Sequence, residues 1–166
     1  MAIIHWLGTG LSAIPGLIKL IEDGNSVIVY NRTVETAAQA LSEIKGDFKI
    51  VPFSLDDIQN NANAGDVVVS MLPGNFHVPV AELSLSLGAH FVSSSYISEE
   101  MQSLHESSVK KNLCLVNEVG LDPGIDHSMS HALVEDYKNS KVFSAENQHS
   151  FLSYCGGLSD TPNDFC

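Results

Sequence analysis

Gly8-Thr9-Gly10-Leu11-Ser12-Ala13 is the stretch that decides the fold. Before it lies the apolar run Ala2-Leu7, which reads as a buried strand. After it, Ile14, Leu17, Ile18 and Ile21 recur at helical spacing through Ser12-Asp23. A glycine after a strand lets the chain turn sharply. A second glycine two residues on has no side chain, so a pyrophosphate can approach the backbone, and a small Ala13 lets the helix lie close to the sheet. The helix start then offers N–H groups and a partial positive charge to an anion. A GxGxxA string alone is weak. Its place between a strand and a helix, inside a βαβ unit, favours a nucleotide-binding loop over a plain glycine-rich turn.

The same alternation continues outward. Val27-Tyr30 reads as a β-branched strand, and Thr33 is placed to N-cap a helix over Val34-Lys45 that stops before Gly46. Phe48-Phe53 is a third strand. Leu55-Ala64 has helical spacing, weakened by four Asn or Gln residues. Val67-Met71 is a fourth strand, closed by Pro73-Gly74, and Val78-Leu87 a helix with Gly88 as its cap. His90-Ser94 is a fifth strand, Ser98 caps a helix reaching Lys111, Leu113-Asn117 is a sixth strand, and Asp126-Tyr137 is a last helix. Strand and helix in strict turn define the α/β class, here a Rossmann-type, doubly wound, mostly parallel sheet covered on both faces. After Lys138 the pattern changes. Lys141-Ser153 has strand character, and Gly156-Gly157 to Cys166 is loop-like. The expected boundary lies near Ser140, with a dinucleotide-binding domain over residues 1–140 and the start of a substrate-binding and dimerisation domain, cut short, over residues 141–166.

Composition narrows the function. The 166 residues are 44% hydrophobic and 17% charged, enough for a sizeable core, and carry a net charge of -12 from 20 acidic and 8 basic side chains. Nucleic acid requires a basic face, and Lys110-Lys111 is the largest basic cluster, so nucleic-acid and anionic-membrane partners are set aside. No apolar run approaches the ~20 residues of a membrane span. The opening strand lacks a basic leader, so the expected location is the reducing cytoplasm. Cys114, Cys155 and Cys166 form no CxxC pattern. Cys114, in an apolar run, is expected to be a small buried hydrophobe. Tyr154-Cys155-Gly156-Gly157 has no adjacent His or Lys to lower the thiol pKa and reads as a turn. His127 and His131 have a zinc-ligand spacing but no third ligand nearby, so no metal is expected.

The end of the second strand bears on the cofactor. An NAD site usually places Asp or Glu there to accept from the ribose 2′-hydroxyl. This chain has Tyr30-Asn31-Arg32-Thr33, and Arg32 is its single arginine. A guanidinium forks onto a 2′-phosphate and a threonine hydroxyl can support it, so the reading is NADP, with NAD still possible. In a doubly wound sheet the ligands lie beyond the carboxyl ends of the strands. Those ends are Leu72-Pro73-Gly74, Ser93-Ser94-Ser95-Tyr96 and Asn117 through Asp126. The last is long, polar and rich in glycine and proline, and can bring Asp122 to the nicotinamide. Asp126 is expected to cap the final helix.

Three strings together are more specific than the glycine loop: Tyr96-Ile97-Ser98-Glu99-Glu100-Met101, then Gly120-Leu121-Asp122-Pro123-Gly124-Ile125-Asp126-His127, then Ser153-Tyr154-Cys155-Gly156-Gly157-Leu158. With Asn31-Arg32-Thr33 and Met71-Leu72-Pro73 through Phe76-His77, they resemble the saccharopine dehydrogenases that form L-glutamate. The resemblance implies lysine metabolism: saccharopine interconverted with glutamate and 2-aminoadipate semialdehyde, hydride passing between the carbon beside a secondary amine and the nicotinamide. It implies that Gly8 and Thr9-Gly10-Leu11-Ser12 hold the pyrophosphate and Asn31-Arg32-Thr33 the adenosine phosphate. Ser54, Leu55 and Leu72 would line the cofactor groove, Ser95 and Tyr96 touch substrate, and Asp122-Pro123-Gly124 close over the nicotinamide. Asp122 and Tyr96 are the acid–base candidates. The full-length family member is expected to be a homodimer.

Two departures stand out. Gly74-Asn75 replaces the aromatic and hydroxyl residues usual in the family, and Cys166 falls where family members continue into a substrate domain. Saccharopine has three carboxylates, which favour arginine, and the one arginine here is assigned to the cofactor. The chain is therefore expected to be an incomplete enzyme. The competing readings are a non-enzymatic dinucleotide-binding or regulatory module and a carboxynorspermidine-type dehydrogenase. Arg32→Ala is expected to weaken NADP(H) binding more than NAD(H) binding in calorimetric titrations. Equal losses would remove Arg32 from the 2′-phosphate.

Overall fold

The computed structural model describes residues 2–154. Its elements follow one another as β1 (Ile4–Leu7), α1 (Ile14–Glu22), β2 (Val27–Asn31), α2 (Val34–Ala40), β3 (Phe48–Pro52), α3 (Leu55–Asn61), β4 (Val67–Ser70), a 3₁₀ turn (Gly74–Phe76), α4 (His77–Leu87), β5 (His90–Ser93), α5 (Glu99–Ser103), α6 (His105–Lys110), β6 (Leu115–Val116) and α7 (Ile125–Lys138). The strands form one sheet in the order β3-β2-β1-β4-β5-β6. Every pairing is parallel, with Ile4 opposite Val27 on one side and Val67 on the other. No helix among the described residues is long and apolar enough to cross a membrane. Compactness divides the chain into two units, Met1–Met129 and Ser130–Cys166.

Alternation along the strands builds two cores. In β2, Val27 and Val29 face one cluster with Trp6, Leu17, Ile21 and Leu41, so α1 and α2 cover that face. Ile28 and Tyr30 face the other, with Leu7, Ile58, Val80 and Phe91, so α3 and α4 cover the opposite face. Val27 to Tyr30 are all buried, which is why this strand reads as an unbroken apolar run. At the end of α4, Gly88 adopts φ 75° and terminates the helix.

Several elements depart from expectation. The Val34-Lys45 helix ends at Ala40, where Ser42 Oγ donates to Gln39 O and competes with the helix ladder. Thr33 holds the N-cap position with an extended backbone, but its side chain makes no capping bond. The helix reaching Lys111 is broken at Leu104, after Ser103 Oγ turns back to Glu100 O. Cys114 is exposed, not buried: it precedes the two-residue edge strand β6, and its N–H donates to His90 Nδ1. Among the described residues Lys141-Ser153 contains no strand. A strand needs a neighbour to pair with. Here the N–H groups of Phe143 and Asn147 close turns onto Ser140 and Ser144 carbonyls instead. In this second unit Phe143 stacks on His149 and Tyr137 meets both rings edge-on, while Val142, Phe151, Leu152 and Tyr154 are exposed. Cys155-Gly156-Gly157 and Cys166 lie outside the described residues.

A buried polar group ties the start of the sheet together. Asp66 Oδ1 accepts from Ile3 N–H and its Oδ2 from Asn63 N–H and His5 Nε2, while Tyr30 hydroxyl meets His5 Nδ1 at 2.9 Å. A carboxylate only accepts, so the histidine is the Nε2–H tautomer and the tyrosine donates. Burial alone would raise the Asp66 pKa. The Ile3 and Asn63 N–H groups, with His5, overcome that and hold it below the usual carboxylate value. Burial pushes His5 and His77 below the ordinary histidine value of 6.5. The unfolded chain therefore binds protons to these rings at higher pH than the folded one. Their neutral forms contribute stability fully above about pH 6.5, and that contribution is lost as pH falls below it. His77→Asn is expected to lose less melting temperature than the parent between pH 7 and pH 5. An equal or larger loss would contradict the burial of a neutral ring.

Candidate cofactor and substrate site

The sheet order places a topological switch point between β1 and β4: the chain runs outward from β1 through β2 and β3, then resumes on the other side at β4. Connections diverge there and leave a crevice at the strand carboxyl ends. The crevice found there has a volume of about 590 Å3, within the roughly 300–1,000 Å3 typical of small-ligand and cofactor sites. Its floor is the loop Gly8, Thr9 and Gly10. One wall is Asn31, Arg32, Thr33 and Thr36, and the other is Met71, Leu72 and Pro73, with Phe53 and Phe76.

The loop is fixed from three sides. Gly8 N–H donates to Tyr30 O at 2.8 Å, and Trp6 Nε1 donates to Gly8 O at 2.9 Å. Gly8 has φ +97°, and a β-carbon there would lie 2.9 Å from Met71 O. Gly10 differs: a β-carbon on it would meet nothing within 4 Å. The Ala13 and Ile14 N–H groups turn back to Gly10 O, and Ala13 is buried against the sheet. Thr9 Oγ1 is buried with no hydrogen-bond partner among the described residues. A buried hydroxyl without a partner is costly. Together with the open space over Gly10, it fits a loop shaped for a pyrophosphate. Asn31 Nδ2 donates to Thr33 O at 2.8 Å, folding the strand end so that Arg32 sits at its tip. Arg32 makes no salt bridge among the described residues.

Other expected residues fall elsewhere. Leu11 is 78% exposed and, like Ser12, lies in the turn before α1, outside the crevice lining. Ser54 caps α3: it accepts from Asp57 N–H at 2.9 Å and donates to Asp57 Oδ2. Neither Ser54 nor Leu55 lines the crevice, whereas Phe53 does. Thr36, Phe53 and Phe76 were not anticipated as lining. Each follows a strand end by a few residues, which is the signal that could have found them.

A second group forms at the ends of β5 and β6. Glu118 N–H donates to Ser95 O, Val119 N–H to Ser93 O, and Ser93 Oγ to Asn117 Oδ1, so the loop after β6 is laid along β5. Tyr96 hydroxyl donates to Asp122 Oδ1 at 2.5 Å across 26 residues of sequence. The loop closes on itself where Ile125 N–H meets Gly120 O, and Gly124, at φ 143°, packs against Glu118 and Gly120 backbone too closely for a side chain. The Asp122-Pro123 bond is cis. Asp126 accepts from Gly124 N–H at 2.9 Å at the start of α7. No group of three or more His, Cys, Asp or Glu poised for a metal occurs among the described residues.

A switch-point crevice, a glycine loop opening a helix and an arginine at the end of β2 define a dinucleotide-binding domain. Residues 4–116 match the family described as the saccharopine dehydrogenase NADP binding domain, and the chain belongs to that family. It is 34% identical over 92% of its length to a saccharopine dehydrogenase (NADP+, L-glutamate-forming) of Pyricularia oryzae, spanning 33% of that protein. It is 42% identical over 80% of its length to an alpha-aminoadipic semialdehyde synthase of Arabidopsis thaliana, spanning 12% of it. Among solved structures, apo saccharopine dehydrogenase (L-Glu forming) from Saccharomyces cerevisiae superposes with a TM-score of 0.68 at 27% identity, covering 82% of this chain and 31% of that one. The chain thus spans about a third of the length of the fungal relatives it matches. Scyllo-inositol dehydrogenase from Lactobacillus casei, at 17% identity and a TM-score of 0.61, shares the fold.

The two loop glycines should separate folding from binding. Gly8→Ala is expected to destabilise the protein by about 2 kcal/mol or more in urea denaturation, because positive φ and the Met71 carbonyl both oppose a side chain. Gly10→Ala is expected to leave stability within about 0.5 kcal/mol while weakening dinucleotide binding. The reverse pattern would misassign the loop.

Proposed function

We propose that this chain is the NADP(H)-holding part of a saccharopine dehydrogenase that forms L-glutamate. The observation that carries the reading is the crevice: Arg32 and Thr33 stand where an NAD site has a carboxylate, and share it with a Thr9 hydroxyl that has no partner among the described residues and the open space over Gly10. Thr9 and Gly10, with the first turn of α1, hold the pyrophosphate. Arg32 forks onto the 2′-phosphate and Thr33 supports it. Leu72 lines the crevice wall beside them. When bound, NADP+ supplies the hydride acceptor at its nicotinamide.

The second group is assigned to the substrate. Ser95 and Tyr96 flank the amine, and Asp122-Pro123-Gly124 closes over the nicotinamide side. Tyr96 and Asp122, joined hydroxyl to carboxylate, form a pair that can take a proton from the substrate nitrogen and hold it. Residues 141–166 open the domain that carries the rest of the substrate site. Saccharopine has three carboxylates, and this chain has one arginine, already on the cofactor. The 166 residues alone are therefore expected to bind NADP(H) in calorimetry more tightly than NAD(H) and to form no NADPH when saccharopine is added. Saccharopine-dependent NADPH formation by the chain would show that its own residues grip the substrate. Absence of NADP(H) binding would overturn the cofactor assignment.

A further inference from the structure

The segment between β4 and α4 is a wall of the crevice and also a loop closed from behind. Ser70 ends β4 and His77 begins α4; both are buried, and His77 Nδ1 lies 2.9 Å from Ser70 Oγ. That bond brackets Met71, Leu72, Pro73 and Phe76, all of which line the crevice. Inside the bracket Phe76 N–H donates to Pro73 O at 3.0 Å and winds the 3₁₀ turn. Phe76 then meets Phe53 edge to face, with ring centroids 5.6 Å apart at 88°. In other respects a histidine is a costly choice at this place. Its Nε2 is buried without a partner among the described residues, a penalty that an apolar residue would avoid. The bond to Ser70 is the contact that sets against this cost.

We propose that the Ser70–His77 hydrogen bond is a positioning device for the dinucleotide: by fixing both ends of the loop, it seats Phe76 against Phe53 as an aromatic wall for the adenine ring. The inference rests on the NADP reading above. Adenine, not nicotinamide, is the ring concerned. Arg32 and Thr33, assigned to the 2′-phosphate, share this crevice with Phe53 and Phe76, whereas Tyr96 and Asp122 do not line it. A flat base takes an aromatic partner against its face or edge, and the pair offers both. Ser70 and His77 do not line the crevice and act through Phe76.

The test uses this chain with adenosine 2′,5′-bisphosphate, which carries the adenine and the 2′-phosphate but no nicotinamide. Phe76→Trp puts an indole in the wall, and the parent chain controls for Trp6, the single native tryptophan. Saturation with the bisphosphate is expected to quench the new indole, and Phe76→Ala to weaken binding roughly tenfold. His77→Asn keeps an amide near the Nδ1 position and discards Nε2; His77→Gln does the opposite. The Asn variant is expected to bind within about twofold of the parent, while His77→Gln and Ser70→Ala weaken binding roughly fivefold. A merely structural role would lower the melting temperature in these variants and leave the affinity of the folded protein unchanged. Parent-like affinity in both Ser70→Ala and His77→Gln would overturn the inference and leave the NADP reading standing. So would an unquenched indole. If the folded parent does not bind the bisphosphate at all, the NADP reading falls first and this inference falls with it.

Discussion

Gly8 and Met71 meet where β1 and β4 end, and a β-carbon on the glycine would stand 2.9 Å from the methionine carbonyl. That approach is possible because β1 lies between β2 and β4 and all three run the same way. The loop leaving β1 must turn over the end of the neighbouring strand, and a left-handed glycine is the residue that allows it. Hydrogen bonds from Trp6 and to Tyr30 then hold the turn in place. At the opposite end of the sheet, Asp66 grips the backbone just before β1 and the His5 ring within it. The first strand is thus clamped to its β4 side at both ends, and the crevice keeps its floor and far wall in register.

An anionic cofactor and a chain of net charge -12 look ill-matched. The conflict resolves locally. The glycine loop that leads into α1 and one guanidinium at the tip of β2 line the same crevice, and low-dielectric walls concentrate the field of such groups. Net charge sets solubility and long-range steering; it does not set the potential inside a shaped hollow. The second group, around Tyr96 and Asp122, presents acceptors and a hydroxyl instead of cations. The chain has divided the end of its sheet into a part suited to phosphate and a part suited to protons.

Much of the architecture was legible in the sequence because it depends on short-range pattern. Val27-Ile28-Val29-Tyr30 alternates between two cores, and a strand buried on both faces must read as an apolar run. The glycine loop announced the crevice because its context was a strand and a helix. Other features were not legible, and the reasons differ. Ser42 and Ser103 shorten or break helices through hydroxyls that bond nearby carbonyls, a competition that helical spacing does not reveal. Cys114 is exposed where the chain enters a short edge strand, and edge position is a property of the whole sheet. Lys141-Ser153 has strand-forming residues, but the Phe143 and Asn147 N–H groups close local turns instead. Phe53 reaches the crevice because β3 pairs with β2, which carries Asn31 beside it; Phe53 N–H donates to Asn31 O. That proximity comes from strand order, which no local stretch encodes. The strings that bring Tyr96 to Asp122 pointed to a family but not to their hydrogen bond.

The strand order also has a temporal side. β1, β2 and β3 are neighbours in sequence and in space, so their pairing closes short loops early and cheaply. β4 must return from residue 67 to lie against residue 4, the most distant pairing that β1 makes. Closing so long a loop costs more entropy than the shorter closures before it. Until β4 docks, the crevice has a floor and one wall but lacks Met71, Leu72 and Pro73. A partly assembled chain would therefore display the glycine loop without a complete place for a dinucleotide. The ligand can seat fully once β4 has docked, and its binding free energy then stabilises the completed sheet over every state that lacks that wall.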